Sequence, residues 1–207
     1  MGRSRAFDVD ERLDRALEVF WRQGYEGTAL SDLTEAMGIN RPSLYAAYGN
    51  KESLFRQAFG RYLDGPAAHV RTALDQPTAR GVTEALLRGA VDVATRSDGP
   101  DGCLMVQSAL ATGPQGQPIR TELAALRRAA EAGLSERFER ARAEGDLPES
   151  AAPEALARYV WAISYGISVQ AAGGASGEEL HAMVDLTLEA WPPSPRVDDA
   201  AAARRRT

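Results

Sequence analysis

The chain of 207 residues has one cysteine, Cys103, which excludes an internal disulfide and a cysteine-based zinc site. Histidine is almost as scarce: His69 and His181 lie far apart, so a histidine-rich metal site is not expected, nor is a cofactor. Aromatics make up 7% of the residues, and runs of Val, Ile and Thr with two-residue alternation are missing, while Ala and Leu abound. Helices should therefore dominate, giving an all-α protein. The longest near-apolar stretch, residues 159–172, contains Ser, Gly and Gln and is too short to span a bilayer. The opening MGRSRAFDVDERL passes from two arginines into acidic residues without an apolar run, unlike a signal or transit peptide. A cytoplasmic protein with no membrane partner is expected. Bulk positive charge is lacking too. The formal net charge is −5, so any role in nucleic-acid binding must rest on local placement. A Gly-rich phosphate loop, a zinc-type HExxH and a nucleophile elbow are all missing. The acidic pair Glu178–Glu179 sits at a helix start, where the helix dipole accounts for it. An enzyme is not expected.

What is present is helical punctuation over a core-forming composition, with 44% hydrophobic residues. Asp8 followed by Glu11 is an acidic capping box, after which Leu13, Leu17, Phe20 and Trp21 recur at helical spacing up to Gly24. A second, short helix follows, with Thr28 or Ser31 as cap, Leu30, Leu33 and Met37 facing inward, and Gly38 as its stop. Asn40 caps a third helix with Pro42 in its first turn, which runs only to Tyr48 because Gly49 ends it and Asn50 caps the next. Leu44 and Tyr48 point to the core with Ile39; Arg41, Pro42, Tyr45 and Ala46 share the outer face. Two short helices joined by a tight turn and packed on a longer one form a helix-turn-helix, whose second helix enters the DNA major groove. Similar corners also occur in helical domains that bind no DNA. Lys51 then stands in the first turn of the fourth helix, where backbone N–H groups and the positive dipole end favour a phosphate; an ordinary solvated lysine is the alternative.

The stretch GTALSDLTEAMGINRPSLYAAYGNKESLFRQAF resembles the TetR family of bacterial transcriptional regulators, with turn, aromatic and lysine positions in register from about Phe7 to Phe59. The resemblance implies about nine helices: a three-helix DNA-binding domain over residues 1–50 and a larger effector-binding and dimerisation domain over 51–191. It implies a homodimeric repressor, or less often an activator, that leaves double-stranded operator DNA when a small molecule enters the second domain. Carried across residue by residue, it assigns Thr28 and Lys51 to phosphate, Arg41 and Ser43 to the groove, and Tyr45 to phosphate or a base edge, with Pro42 and Ala46 beside them. Ala46 and Ala47 stand where many relatives carry polar side chains, so methyl contact with thymine and DNA shape would supply part of the specificity. The segment containing Arg5 fits either an unstructured terminus or a basic arm on the DNA.

Beyond residue 60 only periodicity speaks. It predicts helices over 51–74, 83–96, 103–113, 119–144, 153–172 and 178–191, and a disordered polar tail over 192–207. Large or polar side chains at inward-looking positions are candidates to line an effector cavity: Tyr62, His69, Met105, Ser108, Phe138, Trp161 and Tyr165, each with ordinary core packing as its alternative. They suit a neutral, partly aromatic or lipophilic effector. Trp161 and Tyr165, four apart, should share one layer. Leu180, Met183, Val184, Leu186 and Leu188, with the small residues around Gly166 and Ala171, suggest a homodimer through the last two helices and hence a near-palindromic operator. Cys103 is either a thiol sensor at a helix start or a small buried hydrophobe.

Overall fold

The computed structural model describes residues 2–109 and 116–192, with side chains over 9–108 and 116–192. Among the described residues there are ten α-helices and no strand: α1 (Gly2–Gly27), α2 (Leu30–Met37), α3 (Arg41–Tyr48), α4 (Lys51–Asp64), α5 (His69–Leu74), α6 (Ala79–Ala94), α7 (Leu104–Ala109), α8 (Gln117–Ala143), α9 (Pro153–Ala172) and α10 (Gly177–Glu189). No helix among them is long and apolar enough to cross a membrane. The tail beyond residue 192 lies outside the described residues.

Two hydrophobic clusters organise the chain. The first is aromatic and joins α1 to α4: Phe20, Trp21, Tyr25, Phe55, Phe59 and Tyr62 close around Leu33, Met37, Leu44 and Tyr48. Leu104 of α7 and Ile119 and Leu123 of α8 complete it, so α7 is packed against the amino-terminal helices. The second is mostly aliphatic and gathers Leu86 and Leu87 of α6, Phe138 of α8, Val160 and Ile167 of α9, and Leu180, Val184 and Leu188 of α10.

Several expected boundaries move. α1 begins at Gly2 rather than at the Asp8 box, because nothing between the two breaks a helix; the backbone around Arg5 is therefore helical, and the Arg5 side chain lies outside those described. α1 is interrupted at Gly24 (φ 69, ψ 175) before it ends at Gly27. Neither Thr28 nor Ser31 caps α2. Ala29 is the residue before the helix, and its N–H donates to Asp32 Oδ2 at 2.9 Å. The helix expected over 51–74 is broken at Gly65–Pro66, since proline has no N–H to continue the ladder and disfavours a helical residue before it. A short 3-10 turn over Pro66–Ala68 and the separate α5 follow, which raises the helix number from nine to ten. Arg137, 6% exposed, holds this region: its Nη2 donates to the carbonyls of Gln76 at 2.7 Å and Pro77 at 3.0 Å.

Candidate functional site

The helix α3 is fixed from below and open above. Asn40 Oδ1 accepts the Ser43 N–H at 2.9 Å and closes its amino end, Pro42 occupies the first turn, and Gly49 (φ 76) stops it after two turns. Leu44 is fully buried and Tyr48 is 4% exposed, with the Tyr48 hydroxyl donating to the Val9 carbonyl at 3.1 Å. The opposite face is solvent-exposed at Arg41, Pro42, Ser43, Tyr45, Ala46 and Ala47. Its corner to α2 is made by Gly38, whose φ of 62° is a conformation that L side chains adopt rarely.

Charge around this face is arranged locally. Five acidic residues of α1 and α4 are tied to arginines of the same two helices: Glu11 to Arg15, Glu18 to Arg22, Asp10 and Asp14 to Arg61, and Glu52 to Arg56. Arg41 forms no ion pair among the described residues, so its guanidinium is uncommitted. Asn50 Oδ1 accepts the Ser53 N–H at 2.8 Å at the start of α4, and Lys51 places its Nζ 4.6 Å from the centre of the Tyr25 ring. Burial pulls the Lys51 pKa down, with Glu26 and Asp32 pulling the other way. Tyr25 is itself wedged edge-on against Phe55. Thr28 does not belong to the exposed set. It is 1% exposed and its hydroxyl donates to the Gly24 carbonyl at 2.7 Å, so its side chain staples the interruption of α1 and is turned away from solvent.

A second feature is a cavity of about 270 Å³ between α4, α5, α6, α7, α8 and α9. Of the seven expected lining residues, Tyr62, His69, Met105, Trp161 and Tyr165 are on its wall. Ser108 and Phe138 are not. Ser108 is on the side of α7 that meets α1 at Gly24, and Phe138 packs on Trp191 in the second cluster with ring centres 5.6 Å apart. Trp161 and Tyr165 stack at 5.6 Å and 27°, as their spacing of four predicts. Cys103, Ser164 and Ser168 join the wall unexpectedly, and Gly89 makes room for His69, whose imidazole a Cβ there would strike. Cys103 is half-buried and accepts a hydrogen bond from the Tyr62 hydroxyl at 3.1 Å. Burial, then the neighbouring thiol, holds the Tyr62 pKa well above the ordinary phenol value, and burial pushes Tyr165 up to about 12. Burial pulls the His69 pKa down, against the Pro66 carbonyl, which accepts from Nδ1–H at 3.2 Å, and the charge of Asp92.

The cavity wall is joined to α1. Gly102 lines the cavity, and its carbonyl accepts the Trp21 indole N–H of α1 at 3.1 Å. Tyr62 touches both sides: its ring meets Trp21 edge-on at 4.8 Å and its hydroxyl reaches Cys103.

With this geometry established, comparison with known proteins is informative. Residues 13–58 match the tetR family of bacterial regulatory proteins, and residues 83–184 match the tetracyclin repressor-like C-terminal domain. The chain is similar to the HTH-type transcriptional repressor ComR of Escherichia coli K12, with 34% identity over 193 residues, 92% of each chain. It is also similar to the repressor BdcR of the same organism, with 27% identity over 191 residues, 91% of each. Among solved structures, it resembles a cysteine mutant of the TetR family regulator CifR complexed with 26-bp double-strand operator DNA, at 43% identity and a TM-score of 0.84. That likeness covers 88% of this chain and 96% of the other. A relative 34% identical over 92% of each chain, together with the two matched segments, shows that this chain belongs to the TetR family of bacterial transcriptional regulators.

Proposed function

We propose that this regulator is a repressor that reads operator DNA with α3 and leaves it when a small, mostly apolar molecule fills the cavity. The carrying observation is the bare outer face of α3, where Arg41, Ser43 and Tyr45 project while Leu44 and Tyr48 hold the helix down. Arg41 reads a base edge in the major groove; Lys51, set on the Tyr25 ring, meets a phosphate beside it. Pro42, Ala46 and Ala47 offer apolar contact to thymine methyl groups. Residues 1–50 form the DNA-reading unit and 51–191 the effector-binding and dimerisation unit, in a protein acting in the bacterial cytoplasm.

The dimer forms through α9 and α10. Supporting it is an exposed stripe at helical spacing on α9, Tyr159, Ala162 and Val169, with Gly166 half-exposed among them, Gly173 exposed just past its end, and Leu186 exposed by 68% on α10. Leu180, Val184 and Leu188, expected at the same interface, are instead buried inside the chain. A two-fold pair sets two α3 helices about one DNA turn apart, roughly 34–36 Å, and calls for a near-palindromic operator.

Two substitutions separate the roles. Lys51→Ala should weaken binding to every sequence and flatten the salt dependence by about one unit of slope, because one phosphate contact is gone. Arg41→Ala should cost about 1–3 kcal/mol on the operator and relax preference at one base position. Titrations of operator and random duplex across a salt series measure both, and equal losses of Arg41→Ala on the two duplexes would make Arg41 a second phosphate contact.

A further inference from the structure

Two hydroxyls on the cavity wall, those of Ser164 and Tyr165 on α9, have no hydrogen-bond partner among the described residues. Both oxygens stay open to a water-sized molecule, unlike the sealed indole nitrogen of Trp161. The other polar side chains of the wall are committed. Tyr62 donates to Cys103, and Ser168 to the Ser164 carbonyl. His69 spends Nδ1–H on the Pro66 carbonyl, so its other nitrogen presents a lone pair that does not suit an anion. No carboxylate lines the cavity, and the one cation on its wall, Arg71, is exposed and paired with Asp64. The charge around Tyr165 nevertheless has a sign. Burial raises the pKa of its phenol, and Arg127 is the main influence in the other direction. Arg127 stands on α8 between the wall residues Leu126 and Ala130, forms no ion pair among the described residues, and keeps its Nη1 buried without a partner. The Cys103 thiol and Glu131 act against it, but Glu131 is already held by Arg158 at 2.9 Å. One positive charge is thus left uncompensated beside a phenol that is neutral and free to donate.

We propose that the cavity takes a monocarboxylate with an apolar body, whose carboxylate accepts hydrogen bonds from the Ser164 and Tyr165 hydroxyls under the charge of Arg127 while its hydrocarbon lies against the aliphatic wall. The proposal rests on the cavity being the effector site. It goes further in naming the head group and the charge of the occupant, which the apolar lining by itself would leave neutral. A hydrogen bond to a charged group is roughly twice as strong as a neutral one, so the two hydroxyls favour an anion over an amide of the same shape. Tyr165 is half-buried, and a carboxylate beside it keeps part of its hydration, which lowers the cost of leaving water. A neutral amide gains the apolar contacts and ordinary hydrogen bonds but nothing from Arg127. One uncompensated cation suits one negative charge, which selects a monocarboxylate over a dianion.

The test uses the intact protein and two matched pairs of probes, 2-naphthoate with 2-naphthamide and octanoate with octanamide, each pair alike in shape and different in charge. Binding is measured by isothermal titration calorimetry at neutral pH and low salt. In at least one pair the carboxylate should bind about tenfold or more tightly than its amide. For that carboxylate, Tyr165→Phe, which keeps the ring against Trp161, should weaken binding about tenfold, and Ser164→Ala about fivefold. Arg127→Gln should weaken it about threefold at low salt and less as salt rises, while changing the amide by less than about twofold. Amides that bind as tightly as the acids in both pairs overturn the proposal, as does failure of both carboxylates to bind. Unchanged carboxylate affinity in Arg127→Gln and Ser164→Ala overturns it too, so the outcome is decided even if Tyr165→Phe does not fold. Release of operator DNA is scored separately. A carboxylate that binds with this dependence on the three side chains and leaves DNA binding unchanged supports the site and removes the effector reading.

Discussion

Phe55→Ala is expected to cost about 3–5 kcal/mol of folding stability, the range for emptying a buried phenylalanine site. Phe55 is 2% exposed and meets three rings at once: Phe20 edge-on at 5.1 Å, Tyr25 edge-on at 5.2 Å and Phe59 stacked at 5.8 Å. Each aromatic pair adds about 0.5–1.5 kcal/mol beyond its buried area, so the loss should fall toward the upper end of that range. The consequence reaches the surface proposed to meet DNA, because Tyr25 rests on Phe55 and carries the Lys51 ammonium. Affinity for operator and random DNA should therefore fall together. Tyr45→Ala makes the contrast: its ring is 48% exposed on the outer face of α3, so stability should change by less than about 0.5 kcal/mol while operator affinity drops. Urea unfolding at fixed protein concentration measures the first effect, and a Phe55→Ala loss under about 1 kcal/mol would mean the aromatic cluster does not support the face.

Gly24→Ala should be nearly as damaging, for a different reason. Gly24 has a φ of 69°, and a Cβ built there would lie 2.9 Å from the Gln107 carbonyl oxygen on α7. Backbone strain of this kind costs about 1–3 kcal/mol, and relieving the contact requires α7 to move off α1. Gly24's own carbonyl accepts the Thr28 hydroxyl, so the approach to α2 loosens as well. We expect a total loss of about 2–4 kcal/mol, together with weakened operator binding in the absence of any effector, because α7 also carries the cavity wall at Met105. Thermal unfolding and an anisotropy titration of the same preparation check the two parts. An unchanged melting temperature would show that α7 yields without cost.

The readable and unreadable parts of this protein divide by the range of the forces involved. Gly38, Asn40, Pro42, Gly49 and Asn50 act on backbone within four residues of themselves, so α3 and its exposed face follow from the sequence, as do the buried Leu44 and Tyr48. The break at Gly65–Pro66 is equally local, but apolar spacing carries on from Tyr62 to Ala73 and masks it. Periodicity says which side of a helix is buried and not what it is buried against. Met105 and Ser108, three residues apart on α7, illustrate this, for one meets the cavity and the other meets α1. Phe138 carries no polar mark to distinguish a cavity wall from a filled core. Cys103 is placed on the cavity by the course of the segment before α7, and that course is pinned by the Trp21–Gly102 hydrogen bond across 81 positions of sequence. On α10, Leu186 faces solvent while Leu180, Val184 and Leu188 face inward, a choice made by packing on α6 and α9.

The measurement that bears most directly on the account is an anisotropy titration of a labelled duplex from upstream of the regulator's own gene, against a shuffled duplex at the same salt concentration. At least about a thousandfold preference for the upstream duplex is expected, the lower bound for specific recognition, with one protein dimer per near-palindromic site and about 1–3 kcal/mol of that preference lost in Arg41→Ala. Equal affinity for the upstream and shuffled duplexes, unchanged by Arg41→Ala, would contradict it.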